Sequence, residues 1–153
     1  MGQQQLLLVI LVTIIVGIAT VVAINTFGSA ADSANIDAVR QDIATFAASA
    51  QGYFMKPEML GGGGGTWDGL TFNKVAFPAD ETADGGETAL NSNGVYLLNI
   101  TAGDSVFTIA GHPSSRITSV ISPTARVASG EDELVAEVGP GGINWNCASC
   151  KNE

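Results

Sequence analysis

Between Leu6 and Ile24 the chain carries no charged side chain, and Thr13 and Thr20 are its only polar ones. At ~1.5 Å per residue this run makes a helix of about 28 Å, close to the ~30 Å hydrocarbon core of a bilayer. In an apolar medium the backbone N–H and C=O groups have no water to bond. A helix pairs them within the segment, so a helix is the form open to it. That holds despite many β-branched residues and Gly17, which lower helix propensity in water. Such a helix must be covered by lipid or by other apolar helices.

After a polar break at Asn25-Thr26-Phe27-Gly28-Ser29 the pattern changes. Ile36, Val39, Ile43, Phe46, Ala47, Ala50, Tyr53 and Phe54 follow at steps of three and four, the spacing of one helix face. Asp37, Arg40 and Asp42 are expected on the opposite, polar face, and Asp32 and Ser33 are placed to cap a restart. Lys56-Pro57 ends the pattern, because proline cannot continue a helix and disfavours helix in the residue before it. Two forms remain open between the halves: one continuous helix, or a hinge between Gly17 and Gly28.

The first half takes residues 1–30, and a head takes residues 31–153, including an amphipathic half-helix at 34–55. One domain is what 153 residues allow. Charged residues are 14% of the chain, and none precedes Asp32, so the whole formal charge of −9 belongs to the head. The six basic residues are scattered at Arg40, Lys56, Lys74, Arg116, Arg126 and Lys151. That distribution excludes a general nucleic-acid binder, which needs clustered Lys and Arg for phosphate contacts. Acidity of this kind mainly serves solubility.

The head reads as β-rich over residues 66–146. Gly61 to Gly65 form a flexible five-glycine link that lacks the Gly-Lys-Ser/Thr ending of a phosphate loop. Thr66 to Phe72 is a strand or a turn, and Pro78 to Asn93 a polar acidic surface loop. Gly94 to Thr101 and Ser105 to Ala110 read as a hairpin about Ala102-Gly103-Asp104. Arg116 to Ile121 offers a third strand, extended by Ala125 to Val127, or a short helix before Pro123. Glu133 to Val138 fits strand or helix by pattern and is read as a fourth strand because Gly139-Pro140-Gly141-Gly142 closes it at short length. The expected fold class is α+β, with a long N-terminal helix packed on three to four antiparallel strands.

No pattern calls for catalysis or a cofactor. His112 lies near Asp104, Ser114 and Ser115 in sequence, but a triad is defined by geometry and there is no Gly-x-Ser-x-Gly elbow. Glu131, Asp132, Glu133 and Glu137 fit no calcium loop spacing and read as a solvated acidic turn. Asn99-Ile100-Thr101 matches the N-glycosylation sequon. Cys147 and Cys150, in Cys-Ala-Ser-Cys, are too few with one His for a closed zinc site. In an exported chain the default for them is a small disulfide loop that pins a local turn.

An apolar half-helix leading into Ile36-Asp37-Ala38-Val39-Arg40-Gln41-Asp42 and Gln51-Gly52-Tyr53-Phe54 resembles the spine of a mature type IV pilin or pseudopilin. The resemblance covers about the first third of the chain. Two positions differ from the family's usual pattern: Gln5 stands where a glutamate is usual, and Val22 where many members have proline. The resemblance implies a helical homo-oligomer of many copies, extracellular once assembled and held in the inner membrane before that. It implies a prepilin peptidase that removes a basic leader, making Met1 the first mature residue, and a pilus assembly machinery. The alternative for Met1 is an initiator at the start of a membrane anchor. The implied assembly residues are Met1, Gln5, Leu6, Leu7, Leu8, Val9, Ile10, Leu11, Ile14, Ile15, Ile18, Val21, Val22 and Ile24. Gln5 in this role accepts a hydrogen bond from a neighbouring copy without carrying charge.

Overall fold

The computed structural model describes residues 2–117 and 134–145. It is α+β: one long helix, α1 (Gly2–Met55), then a six-stranded antiparallel sheet. The chain divides into two compact units, one ending at Ala34 and the other beginning at Asn35. That break lies four residues beyond the expected one at 30/31. α1 is helical throughout, so no helix restarts at Asp32 and Ser33; the Ser33 hydroxyl instead donates to the Ser29 carbonyl at 3.0 Å.

The first unit is a single helical stretch without internal tertiary partners. The second unit is the head. Its sheet runs β1 (Glu81–Ala83), β2 (Thr88–Leu90), β3 (Gly94–Asn99), β4 (Phe107–Pro113), β5 (Leu134–Gly139) and β6 (Gly142–Asn144). Neighbours in sequence are neighbours in space, all antiparallel. The expected β3–β4 hairpin is present, with β4 set two residues later than the sequence suggests. The expected fourth strand is β5 from Leu134 on, and Glu133 lies outside the described residues. Of the expected third strand, Arg116 ends a short 3-10 turn (Ser114–Arg116), and 118–121 and 125–127 lie outside the described residues.

Among the described residues the sheet has six strands, where three or four were expected. Pro78 to Asn93 is not one surface loop: it contains β1 and β2, joined by a turn in which Asp84 takes a positive φ of 53°. Thr66 to Phe72 forms turns and no strand, yet it drives Trp67, Leu70 and Phe72 into the core.

Val39, Ile43, Phe46, Ala47, Ala50 and Tyr53 of α1 are buried, as the three-and-four spacing requires. They meet the alternate residues of the strands that face them: Tyr96 and Leu98 of β3, Phe107 and Ile109 of β4, Ala136 and Val138 of β5. Phe46 is the centre, with its ring 4.7 Å from Phe72, 5.7 Å from Phe77 and 6.1 Å from Phe107. Each large apolar side chain buried here stabilises by roughly 1.5–3 kcal/mol. α1 packs tightly on the sheet at Gly111, where a Cβ would stand 2.7 Å from Val39 Cγ1 and 2.9 Å from Ile43 Cδ1.

The glycine run is not a free link. Its amides fold back onto the end of α1: Gly63 N donates to Tyr53 O, Gly64 N to Lys56 O and Gly65 N to Phe54 O, each at 2.9 Å. Tyr53 O also accepts from Lys56 N at 3.2 Å, and the glycine amides supply partners to the carbonyls of the last helical turn, so the run acts as an extended C-cap. At Gly63 a Cβ would lie 2.0 Å from the Thr66 carbonyl oxygen. Gly63→Ala is therefore expected to lower head stability by ~1–3 kcal/mol, the range for disrupted packing and strain. Gly28→Ala, with nothing near the added methyl, should be neutral or stabilising by up to ~1 kcal/mol. Denaturant unfolding followed by the fluorescence of buried Trp67 measures the first, and the helical circular dichroism signal measures the second.

Asp42 was expected on the polar face of α1 and lies instead against the sheet, half-buried. It shares a helix face with Val39 and Phe46, three residues before it and four after. Its Oδ2 accepts hydrogen bonds from Tyr96 Oη at 2.6 Å, Asn93 Nδ2 at 2.8 Å and Asn91 Nδ2 at 2.9 Å. Asn91 Oδ1 in turn accepts from the backbone N–H groups of Asn93 and Gly94, closing the β2–β3 turn. Asn35 Nδ2 donates to the Asn93 carbonyl at 2.9 Å, and Asn35 Oδ1 accepts from Ser115 N. Truncating Asp42→Ala leaves three donors without an acceptor, and should cost ~2–3 kcal/mol of unfolding free energy. Asp37→Ala, which removes an exposed pair to Arg40, should cost under ~1 kcal/mol in the same assay.

Candidate assembly surface

The candidate surface is the apolar stretch of α1 in the first unit. Leu6, Leu7, Leu8 and Val9 are consecutive, so they point to all sides of the helix. Leu7 is 70% exposed, Val12 48% and Ile24 66%; Ile10, Leu11, Ile14, Ile15, Ile18, Val21 and Val22 are likewise exposed. Phe27 extends the surface past the expected boundary at 75% exposure. By length and composition α1 is able to cross a membrane. Exposed apolar area on this scale does not stay bare in water.

The polar atoms along this stretch are closed within the helix. Thr13 Oγ1 donates to Ile10 O and Thr20 Oγ1 to Val16 O, both at 2.8 Å, and Thr26 Oγ1 to Val22 O at 2.9 Å. With the backbone bonds of α1, this removes the main cost of burying polar groups in an apolar surrounding. Gly17 and Gly28 sit in intact helix, with open space where each side chain would be. They leave notches in the apolar surface rather than close contacts within this chain.

At the N-terminal end the first helical N–H groups have no intrahelical acceptor, and the first turn holds no acidic residue. Gln3, Gln4 and Gln5 are exposed there, with Gln5 next to Leu6. Their amides carry both donors and acceptors without charge. Met1 lies outside the described residues, as do Cys147, Cys150 and the acidic residues 131–133.

The other sequence-selected groups are not brought into one site. His112 is buried on β4, paired in register with Val95, on the sheet face turned away from α1. Asp104 precedes the far end of the same strand. Phe107 and His112 alone are separated by roughly 17 Å at ~3.3 Å per residue. Ser114 and Ser115 belong to the 3-10 turn, where Ser114 N donates to Asn93 O and Ser115 N to Asn35 Oδ1. Asn99 ends β3 and is exposed. Among the described residues no group of three metal-ligating side chains is gathered.

Sequence reasoning missed the Asp42 cluster. Its signal was present, since steps from Val39 to Asp42 to Phe46 fall on the apolar stripe, and Asn91-Ser92-Asn93-Gly94 is a turn signal. Tyr96 lies in that cluster fully buried. Desolvation, then the hydrogen bond to the Asp42 carboxylate and its negative charge, push the Tyr96 phenol well above its ordinary value near 10. A raised folded-state value means stability is fully present below pH ~10 and falls as pH rises above it, where the unfolded phenol ionises and the folded one does not. The alkaline slope of head stability should therefore be smaller in Tyr96→Phe than in the parent chain, as read from denaturant midpoints between pH 8 and 11.

No family model, curated protein or solved structure matches this chain. The class defined by the fold itself is an α+β chain. In it one helix carries an exposed apolar N-terminal stretch and a C-terminal stretch packed on an antiparallel sheet, an arrangement compatible with pilin-like architecture.

Proposed function

We propose that the chain is a structural subunit of an extracellular, type IV pilus-like helical filament. The observation that carries this reading is the apolar stretch Leu6–Ile24: exposed, uncharged, closed in its hydrogen bonding, and part of the same helix that packs on the head. Lipid covers that stretch in the unassembled precursor at the inner membrane. Helices of other copies cover it in the filament. Each square ångström of apolar surface removed from water stabilises by roughly 25 cal/mol. Contact surfaces that differ on the two sides of each copy propagate without closing, which makes a fibre. Gln5 sets the register by an uncharged hydrogen bond to a neighbouring copy. A prepilin peptidase and a pilus assembly machinery act on the chain in this reading. A minor pseudopilin of a secretion system uses the same surface at lower copy number.

A membrane-anchored monomeric binding domain is the second reading, favoured by the match of Leu6–Ile24 to one bilayer thickness. Shearing cells that produce the chain separates the two. The filament reading expects the protein in sheared filaments, and Ile14→Arg, which places a charge costing ~2.5–3.5 kcal/mol in an apolar surrounding, to lower the sheared yield at least tenfold. Gln5→Ala should lower it less than Ile14→Arg. Recovery of the parent chain only from the membrane pellet, as a detergent-soluble monomer, overturns the filament reading and supports the anchored domain.

A further inference from the structure

We infer that Asn99 is an acceptor for an N-linked glycan. Asn99-Ile100-Thr101 is the one Asn-x-Ser/Thr sequon in the chain with a non-proline centre. The structure separates it from the other described asparagines of the head. Asn35, Asn91 and Asn93 have their amides committed to the contacts that join α1 to the β2–β3 turn. Asn73 accepts from Thr82 Oγ1, and Asn144 has a partner as well. Asn99 makes no side-chain hydrogen bond among the described residues, and neither does the Thr101 hydroxyl.

Asparagine is depleted in strands, since its short amide packs poorly on a pleated surface and bonds its own backbone in turns instead. Among the described residues, nothing in the packing of the head accounts for Asn99 at its place. Leu98 and Tyr96 face α1, so Asn99 points to the other face of the sheet, and it is exposed there. The β3–β4 register closes at Asn99 and Thr108, after which the chain leaves the ladder for the turn at Thr101 to Asp104, with the Asp104 N–H donating to Thr101 O. Amide and hydroxyl therefore sit at the turn end of the hairpin, both exposed, where the β3–β4 ladder stops at Asn99. A glycan there adds bulk on solvent and displaces no core side chain.

The co-substrate is a lipid-pyrophosphate-linked oligosaccharide, used by an oligosaccharyltransferase. Asn99 Nδ2 attacks the anomeric carbon of the first sugar. The N–C bond forms as the bond from that carbon to the pyrophosphate oxygen breaks. The lipid pyrophosphate leaves with the electron pair, and one amide proton passes to a base of the transferase. No oxidant or reductant is consumed.

The inference rests on the extracytoplasmic placement of the head proposed above. It is tested on the full chain purified from its own producing cells. Trypsin releases residues 75–116 as one peptide, since no Lys or Arg lies between Lys74 and Arg116. Electron-transfer fragmentation should place a sugar mass on Asn99 in most copies of that peptide. Thr101→Ala and Asn99→Gln should each remove the mass, and Thr101→Ser should retain it. Bare Asn99, or sugar on a serine or threonine instead, overturns the inference. Protease added to intact cells with a permeable outer layer distinguishes the cause. A cleaved head with bare Asn99 sinks the inference alone, whereas a protected head with bare Asn99 sinks the proposed placement with it.

Discussion

Val39 and Ile43 lie so close to β4 at Gly111 that no side chain fits between them. That contact sets the distance between α1 and the sheet, and much of the head follows from it. Phe46, one turn further along, then falls among Phe72, Phe77 and Phe107. Trp67 closes the same core beside Phe107, with its indole N–H donating to the Ser105 carbonyl at 2.9 Å. Asp42, on the same side of the helix, is carried within reach of Tyr96 and the two asparagines. An apolar contact thus places a carboxylate where burial would be costly without partners, and three donors meet it.

The two units of the chain solve their polar groups differently. In the first, every side-chain hydroxyl from Thr13 to Thr26 turns inward on its own helix, so none of these hydroxyls is offered sideways. In the head, side chains reach across elements to join helix, turn and strand. The first pattern suits a surface with changing neighbours, because its hydrogen bonds do not depend on which apolar surface lies alongside. The second suits a surface whose neighbours are fixed.

The features legible in the sequence were those set by periodicity and by breakers. The apolar run, the stripe from Ile36 to Phe54, the stop at Pro57 and the hairpin around Gly103 all follow from local rules. β1 and β2 were not legible. Each is three residues long, one strand is acidic at Glu81, and their strand state comes from pairing in succession onto the longer β3 rather than from their own propensity. The glycine run failed for a related reason. Its composition describes a loose chain, but its conformation is set by hydrogen bonds to the helix-end carbonyls of Tyr53, Phe54 and Lys56, which composition does not display. The exposed apolar stretch of α1 was legible almost in full, because it depends on hydrophobicity alone. Asp42 was not, because a charged residue on a helix reads as solvent-facing unless its partners, some fifty residues away, are known.

The strict sequential order of the sheet has a consequence for how the head comes into being. Every strand after β1 adds to the strand made just before it, and the helical stripe that backs the sheet precedes them all. No strand waits for a partner still to be synthesised beyond the next one. Contacts of short sequence separation form quickly, and long-range pairing is what delays β-rich chains and leaves their edges open to aggregation. The head is therefore suited to be built from its N-terminal side as the chain emerges, with α1 as a ready surface and a single advancing edge, and is exposed to mispairing for only the interval between one hairpin and the next.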